Sequence, residues 1–199
     1  MILAPRTEAA RLGTAFVDRD GTINEKAPEG EYITAADAFV FLPGAVEGLR
    51  LLTDLGFRTI VVTNQRGIAL GRMTERDLAD IHRFMLGELR SAGARVDAIY
   101  HCPHEIGACR CRKPDVGLFL RARDEHPAIS WDRSVMIGDS RSDMEAAGRL
   151  DLRRVLVTSH GSPALPEVDA HFRASSLSEA ANWAAHAIEP SITTGAERS

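Results

Sequence analysis

Residues 16–22 read Phe-Val-Asp-Arg-Asp-Gly-Thr, an apolar run ending in two aspartates spaced two apart. At the end of an extended strand, residues i and i+2 point the same way. Asp18 and Asp20 therefore share one site, although the turn at Gly21 can separate their carboxylates. Two acids so close repel each other unless a cation lies between them or one keeps a proton. A hard cation such as Mg²⁺ takes a few carboxylates together with water and phosphate oxygens. One carboxylate can then attack phosphorus while the other moves protons. The competing reading is a plain turn, because Asp and Gly are favoured turn residues.

A second cluster lies between residues 102 and 111. The chain has 3 cysteines, Cys102, Cys109 and Cys111, and all of them fall here beside His104. An odd count so tightly grouped is no disulfide framework. Three thiolates and one imidazole make a tetrahedral Cys₃His set that suits Zn²⁺ and leaves no position for water, so its role would be structural. A chance cluster of buried thiols is the alternative, and His101 is a rival ligand. His82, His126, His160, His171 and His186 lack ligand spacing and read as ordinary.

At 199 residues the chain is long enough for one domain with a sizeable core. A net charge of −4 offers no basic surface for nucleic acid. No apolar run approaches the roughly 20 residues that span a bilayer. Residues 1–15 carry Arg6, Glu8 and Arg11 and lack the apolar core of a secretion signal, so a cytoplasmic location is expected. Of the 24 basic residues only Lys26 and Lys113 are lysine, which singles out both.

Strand and helix patterns alternate along the chain. Apolar or β-branched runs at 15–17, 59–62, 98–101, 134–137 and 155–157 read as buried strands. Helical patterns cover 43–55, 74–92, 116–123 and 143–147. Gly56 and Gly93 stop the first two, and Thr74 caps the second. Phe172 is placed in a short edge strand. Ser176 and Glu179 predict a capping box for a last helix, followed by a loose tail at 190–199. The alternation predicts an α/β fold, a doubly wound and mainly parallel sheet with helices on both faces. Only about twenty residues separate Asp20 from the first helix, too few for a folded lid, so an uncapped and open site is expected.

In such sheets ligands bind beyond the carboxyl ends of the strands. Asp18 and Asp20, the Thr63-Asn64-Gln65 run and the Gly138-Asp139 pair each follow a strand, so they should converge. With Arg112-Lys113-Pro114 and Asp143 they resemble the four ordered motifs of the haloacid-dehalogenase (HAD) superfamily of phosphohydrolases, over roughly residues 14–160. The resemblance implies a Rossmann-like sheet of strand order 3-2-1-4-5. It implies that Asp18 is the nucleophile forming an aspartyl-phosphate, and that Asp20 is the general acid and then the base. Thr63 would hydrogen-bond the transferring phosphoryl group, and Lys113 would hold a fixed positive charge against it. Asn64 and Gln65 would add donors there or contact substrate. Arg112 would bind a second anion through its forked donors. Asp139 would complete a Mg²⁺ site with Asp18 and the backbone carbonyl of Asp20. Asp143 keeps three readings: a water-mediated metal contact, a partner for Lys113, or an acid favoured at a helix N-terminus.

The Cys102-x-His104 and Cys109-x-Cys111 loop, followed by Arg-Lys-Pro, resembles a zinc-bearing, uncapped branch of that superfamily. Members of the branch act on a heptose bisphosphate or on histidinol phosphate. Thr22-Ile23-Asn24, Phe41-Leu42-Pro43-Gly44, the Asn64–Gly71 stretch and Tyr100-His101-Cys102-Pro103-His104 favour the heptose side. Arg66 and Leu70 depart from the branch pattern, and residues 25–31 are slightly expanded before Tyr32. Arg66 is a further candidate for a distal phosphate. The resemblance implies a Mg²⁺-dependent phosphohydrolase that removes the 7-phosphate of D-glycero-D-manno-heptose 1,7-bisphosphate, with histidinol phosphate as the alternative substrate. The expected partner is a small phosphorylated sugar, with no nucleic acid and no membrane, and the expected state is a monomer. The expected organisation is a single domain over 1–199, with a core at about 14–188 and a zinc loop at 102–111. A catalytically dead, zinc-stabilised binding module is the reading from another class. Such proteins usually lose the nucleophile or the acid, whereas Asp18, Asp20, Lys113 and Asp139 are all present.

Overall fold

The computed structural model of the chain describes residues 11–158 and 165–188. The readings of residues 1–10 and of the tail at 190–199 fall outside these. Strands β1 (Thr14–Val17), β2 (Arg58–Asn64), β3 (Ala98–Cys102), β4 (Ser134–Gly138), β5 (Arg153–Val157) and β6 (Phe172–Ala174) pair side by side, all parallel. Their order is β3-β2-β1-β4-β5-β6, the expected order with one edge strand added where Phe172 was placed.

A period of two sorts the strand residues between two apolar layers. Ala15 and Val17 of β1 join one layer, and Phe16 joins the other. The first layer packs against α1 (Ala45–Leu55), α2 (Glu75–Ser91) and α5 (Leu177–Ala187). The second packs against α3 (Gly117–Glu125) and α4 (Arg141–Arg149). The central strands are thus covered on both faces, and Ile60, Val61 and Val62 are all buried in sequence.

Helix ends depart from the pattern reading in instructive ways. α1 begins at Ala45 rather than at 43, because Gly44 takes a left-handed conformation just before it. Thr74 caps α2 as expected, in a full capping box with Asp77. α4 begins at Arg141, ahead of the expected 143, because Ser140 and Asp143 form a capping box that fixes the boundary. The Ser176–Glu179 box needs correction. Ser176 Oγ accepts from the Glu179 N–H at 3.3 Å, but the Glu179 carboxylate accepts from Ser175 N and Oγ, each at 2.7 Å. Ser175 offers two donors together, and Glu179 reaches one residue past the cap to take both.

No folded lid separates Asp20 from α1. That stretch makes isolated bridges from Asn24 to Asp20 and to Phe41, and one 3₁₀ turn at Ala36–Ala38. Among the described residues, no helix is long and apolar enough to cross a membrane.

Candidate active site

The carboxyl ends of β1, β2 and β4 deliver the expected residues to one place. Asp18 directly follows β1, and its N–H extends the ladder to Ile137 O at 2.9 Å. Asp139 follows β4, Asp143 lies in the first turn of α4, and Lys113 comes from the loop before α3. Asp18, Asp139 and Asp143 each offer a carboxylate oxygen within 4.8 Å of the others. Lys113 Nζ stands 2.8 Å from Asp18 Oδ1, 2.6 Å from Asp143 Oδ1 and 2.7 Å from Val62 O. The ammonium therefore stands between two carboxylates and one main-chain carbonyl.

Two glycines make this crowding possible. Gly21 has φ +89°, and a Cβ there would lie 2.2 Å from Asp139 Oδ2. A Cβ on Gly138 would lie 2.5 Å from Asp143 Cγ. Any side chain at either position would push an acid out of the cluster.

The electrostatics separate the two leading aspartates. Burial, then the Asp143 carboxylate, pushes Asp18 up to about 7 against the pull of Lys113. Burial opposes the charge on Lys113, yet Asp143 and Asp18 hold it above the usual lysine range. Asp20 turns away at Gly21. Arg19, itself 1% exposed, donates to it from Nε at 3.0 Å and Nη2 at 2.8 Å. Asn24 Nδ2 and Gln65 Nε2 donate to it as well, at 2.9 and 2.8 Å. Burial alone would raise Asp20, but Arg19 and these donors hold it below the usual carboxylate range.

The remaining candidates divide into two groups. Gln65 Nε2 also donates to Thr63 Oγ1 at 2.9 Å, so Thr63, Gln65 and Asp20 form one hydrogen-bonded chain. Asn64 exchanges two hydrogen bonds with the main chain of Lys113, at 3.0 and 3.1 Å, and so clamps the lysine loop to β2. Arg66 lies farther out and pairs with Glu105 of the 102–111 loop. Arg112 keeps a buried Nη1 with no hydrogen-bond partner.

Three residues at the site were given no role by the sequence reading. Lys26 pairs with Asp139 Oδ2, and the scarcity of lysine was the one signal pointing to it. Arg19 grips Asp20, and its Nη1 lies 3.4 Å from His82 Nε2. Neither Arg19 nor His82 carried a spacing signal.

The donor sets fit two kinds of ion. Asp139 Oδ1 is buried without a hydrogen-bond partner, next to the Asp18 carboxylate, which is the environment a hard cation such as Mg²⁺ takes. In the 102–111 loop, the three Sγ atoms and His104 Nδ1 cluster together, with Cys111 Sγ 3.2 Å from Cys109 Sγ and Cys102 Sγ 3.6 Å from His104 Nδ1. Zn–S bonds of about 2.3 Å imply tetrahedral edges of about 3.7 Å, so only a slight expansion is needed. His101 lies outside that cluster and meets Glu75 at 2.9 Å.

A HAD-hydrolase-like family profile matches residues 110–180, and the parallel sheet with its strand-end acids is similar to that of HAD-type hydrolases. The chain is 36% identical over 169 residues to the D-glycero-beta-D-manno-heptose-1,7-bisphosphate 7-phosphatase of Escherichia coli O6:H1, covering 81% of this chain and 87% of that protein. It is 38% identical over 147 residues to the Rhodopseudomonas palustris protein of the same name, covering 70% and 79%. The structure is similar to that of the D,D-heptose 1,7-bisphosphate phosphatase of B. bronchiseptica, complexed with magnesium and phosphate. That match has a TM-score of 0.76 at 29% identity and covers 86% of this chain and 97% of the other. The chain therefore belongs to the HAD-superfamily phosphatases, phosphoric monoester hydrolases, in the branch that these heptose-bisphosphate phosphatases represent.

Proposed function

We propose that the protein removes the 7-phosphate of D-glycero-D-manno-heptose 1,7-bisphosphate in a Mg²⁺-dependent reaction, through an aspartyl-phosphate on Asp18. One observation carries the reading. Asp18 is buried 2.8 Å from Lys113 and within 4.8 Å of Asp139 and Asp143, in a chain 36% identical to a phosphatase named for that substrate.

Asp18, Asp139 and the backbone carbonyl of Asp20 would hold the cation. Bound there, Mg²⁺ would keep Asp18 ionised and neutralise charge on the phosphoryl oxygens. A carboxylate oxygen of Asp18 attacks phosphorus, and the bond from phosphorus to the sugar oxygen breaks. Lys113 and Thr63 face the phosphoryl oxygens as charge builds on them. Asp20 gives its proton to the leaving alkoxide, a contribution of typically about 10²–10⁴-fold. It then takes a proton from the water that cleaves the aspartyl-phosphate and so frees Asp18. Asp20 rests ionised under Arg19, which suits the second step. The negative charge of an arriving phosphate would raise it towards the protonated form that the first step needs. The unpartnered Nη1 of Arg112 is a donor suited to the 1-phosphate.

Cys102, His104, Cys109 and Cys111 would hold Zn²⁺ and pin the loop ahead of Lys113, with no part in the chemistry. Residues 14–188 would act as one catalytic domain, as a cytoplasmic monomer. The test is phosphate release with Mg²⁺ from both anomers of the heptose bisphosphate and from histidinol phosphate, side by side. A preference for a heptose bisphosphate of about 100-fold in kcat/KM, about 2.7 kcal/mol of transition-state binding, supports the reading. A preference for histidinol phosphate overturns the substrate.

A further inference from the structure

Lys26 belongs to the expanded stretch at 25–31 and is one of the two lysines of the chain. Its stem crosses Gly21, with Cε 2.7 Å from the place a Cβ on that glycine would take. Its ammonium pairs with Asp139 Oδ2, and the two side chains are 50% and 5% exposed. A half-exposed cation on a flexible stem thus closes the mouth of a buried acidic pocket. Lys113 does not take that part, because its ammonium is buried and held in place by Asp18, Asp143 and Val62 O.

We propose that Lys26 is an exchangeable counter-ion of the phosphoryl site. Its ammonium competes with the divalent cation for Asp139 and, once displaced, binds the substrate phosphate. The inference rests on the reading of Asp139 as a cation ligand. The Lys26 end of the pair is half exposed, so water can solvate the ammonium as it leaves and a dication can displace it. The ammonium already occupies Asp139 Oδ2, so a dication that takes this oxygen must move the ammonium off it. The displaced ammonium stays tethered at the mouth, where a phosphate on Asp18 would meet it. Lysine suits such an exchange, being a compact charge with freely rotating donors.

The test is calorimetric titration of the full chain with Mg²⁺ in the absence of substrate, and then with inorganic phosphate at saturating Mg²⁺. Wild type is compared with Lys26→Met, which keeps the stem and removes the charge, and with Lys26→Gln as a polar second variant. Both variants should bind Mg²⁺ on the order of tenfold more tightly and phosphate on the order of tenfold more weakly. Lys26→Arg keeps the charge and should stay near wild type for Mg²⁺. Unchanged affinity for either Mg²⁺ or phosphate in the neutral variants overturns the exchange while the cation site stands. If neither wild type nor variants bind Mg²⁺, the reading of Asp139 falls and this inference falls with it.

Discussion

Lys113 Nζ and Asp143 Oδ1 meet at 2.6 Å, with the two side chains 1% and 0% exposed. The other oxygen of the same carboxylate accepts from Ser140 N and Oγ, at 3.0 and 2.6 Å. One side chain therefore closes the N-terminus of α4 and fixes the ammonium beside Asp18. The cap and the lysine contact are both present, because they use different oxygens. Displacing α4 would therefore remove one of the three contacts that hold the Lys113 ammonium.

Removing the lysine should expose this dependence. Lys113→Met leaves Asp18 and Asp143 buried with no cation between them, and the loss of one partner from a buried pair costs about 3–5 kcal/mol. Turnover should fall on the order of 10²–10³-fold with the lost charge. Adding Asp143→Asn to that variant should restore at least about 1 kcal/mol, because the second change removes one of the uncompensated acids. Denaturant unfolding of the two single variants and the double variant measures the coupling. Strictly additive losses would show that the two residues do not act as a unit.

Asp18→Asn should separate chemistry from stability. The amide keeps an acceptor for Lys113 and for the Arg19 N–H, which lies 2.8 Å from Asp18 Oδ1. It has no charge to attack phosphorus, so turnover should drop on the order of 10⁴-fold or more. Metal-free stability should hold or rise, because one of three clustered acids becomes neutral. Residual turnover near that of wild type would sink the role given to Asp18.

Much of this arrangement was legible in the residues. β-branched runs marked the buried strands, and polar residues directly after them marked the strand ends that converge. Four features were not legible, each for a physical reason. The double role of Asp143 depends on which oxygen faces which neighbour, and spacing does not encode that. Asn64 clamps the main chain of Lys113 from 49 positions away, a contact only the assembled sheet creates. Arg19 was an unremarkable residue between two aspartates, yet it decides that Asp20 rests ionised. Glu179 fell one residue past its expected cap because Ser175, an equally good donor, stands next to Ser176.

His82 should make the fold sensitive to acid. Burial, then the charge of Arg19, lowers it from an ordinary 6.5 to about 3. Between those values the unfolded chain binds a proton at His82 that the folded chain does not. Stability then falls as pH drops through that window, and is fully present above about 6.5. His82→Gln keeps an acceptor for Arg19 and does not titrate. Its thermal midpoint should gain on that of wild type steadily from pH 7 down to about pH 4. Parallel midpoint curves for the two proteins would exclude His82 as the source.

Removing zinc and removing Mg²⁺ should have different effects. The 102–111 loop is anchored at both ends: Cys102 O accepts from Gln65 N at 2.8 Å, and Arg110 O accepts from Gly117 N at 3.1 Å. Between these anchors Cys102, His104, Cys109 and Cys111 would hold the zinc, and metal binding is coupled to the folding of such a loop. Stripping Zn²⁺, or making Cys109→Ser with Cys111→Ser, should lower the thermal midpoint by about 5–10 °C, the equivalent of a few kcal/mol in a chain of this size. Turnover should fall as well, because Lys113 follows Cys111 by two residues. Removing Mg²⁺ with a chelator too weak to take the zinc should stop turnover, reversibly, and leave the midpoint within a few degrees. Metal analysis beside calorimetry separates the two cases. A zinc-free protein with an unchanged midpoint would rule out a structural zinc at this loop.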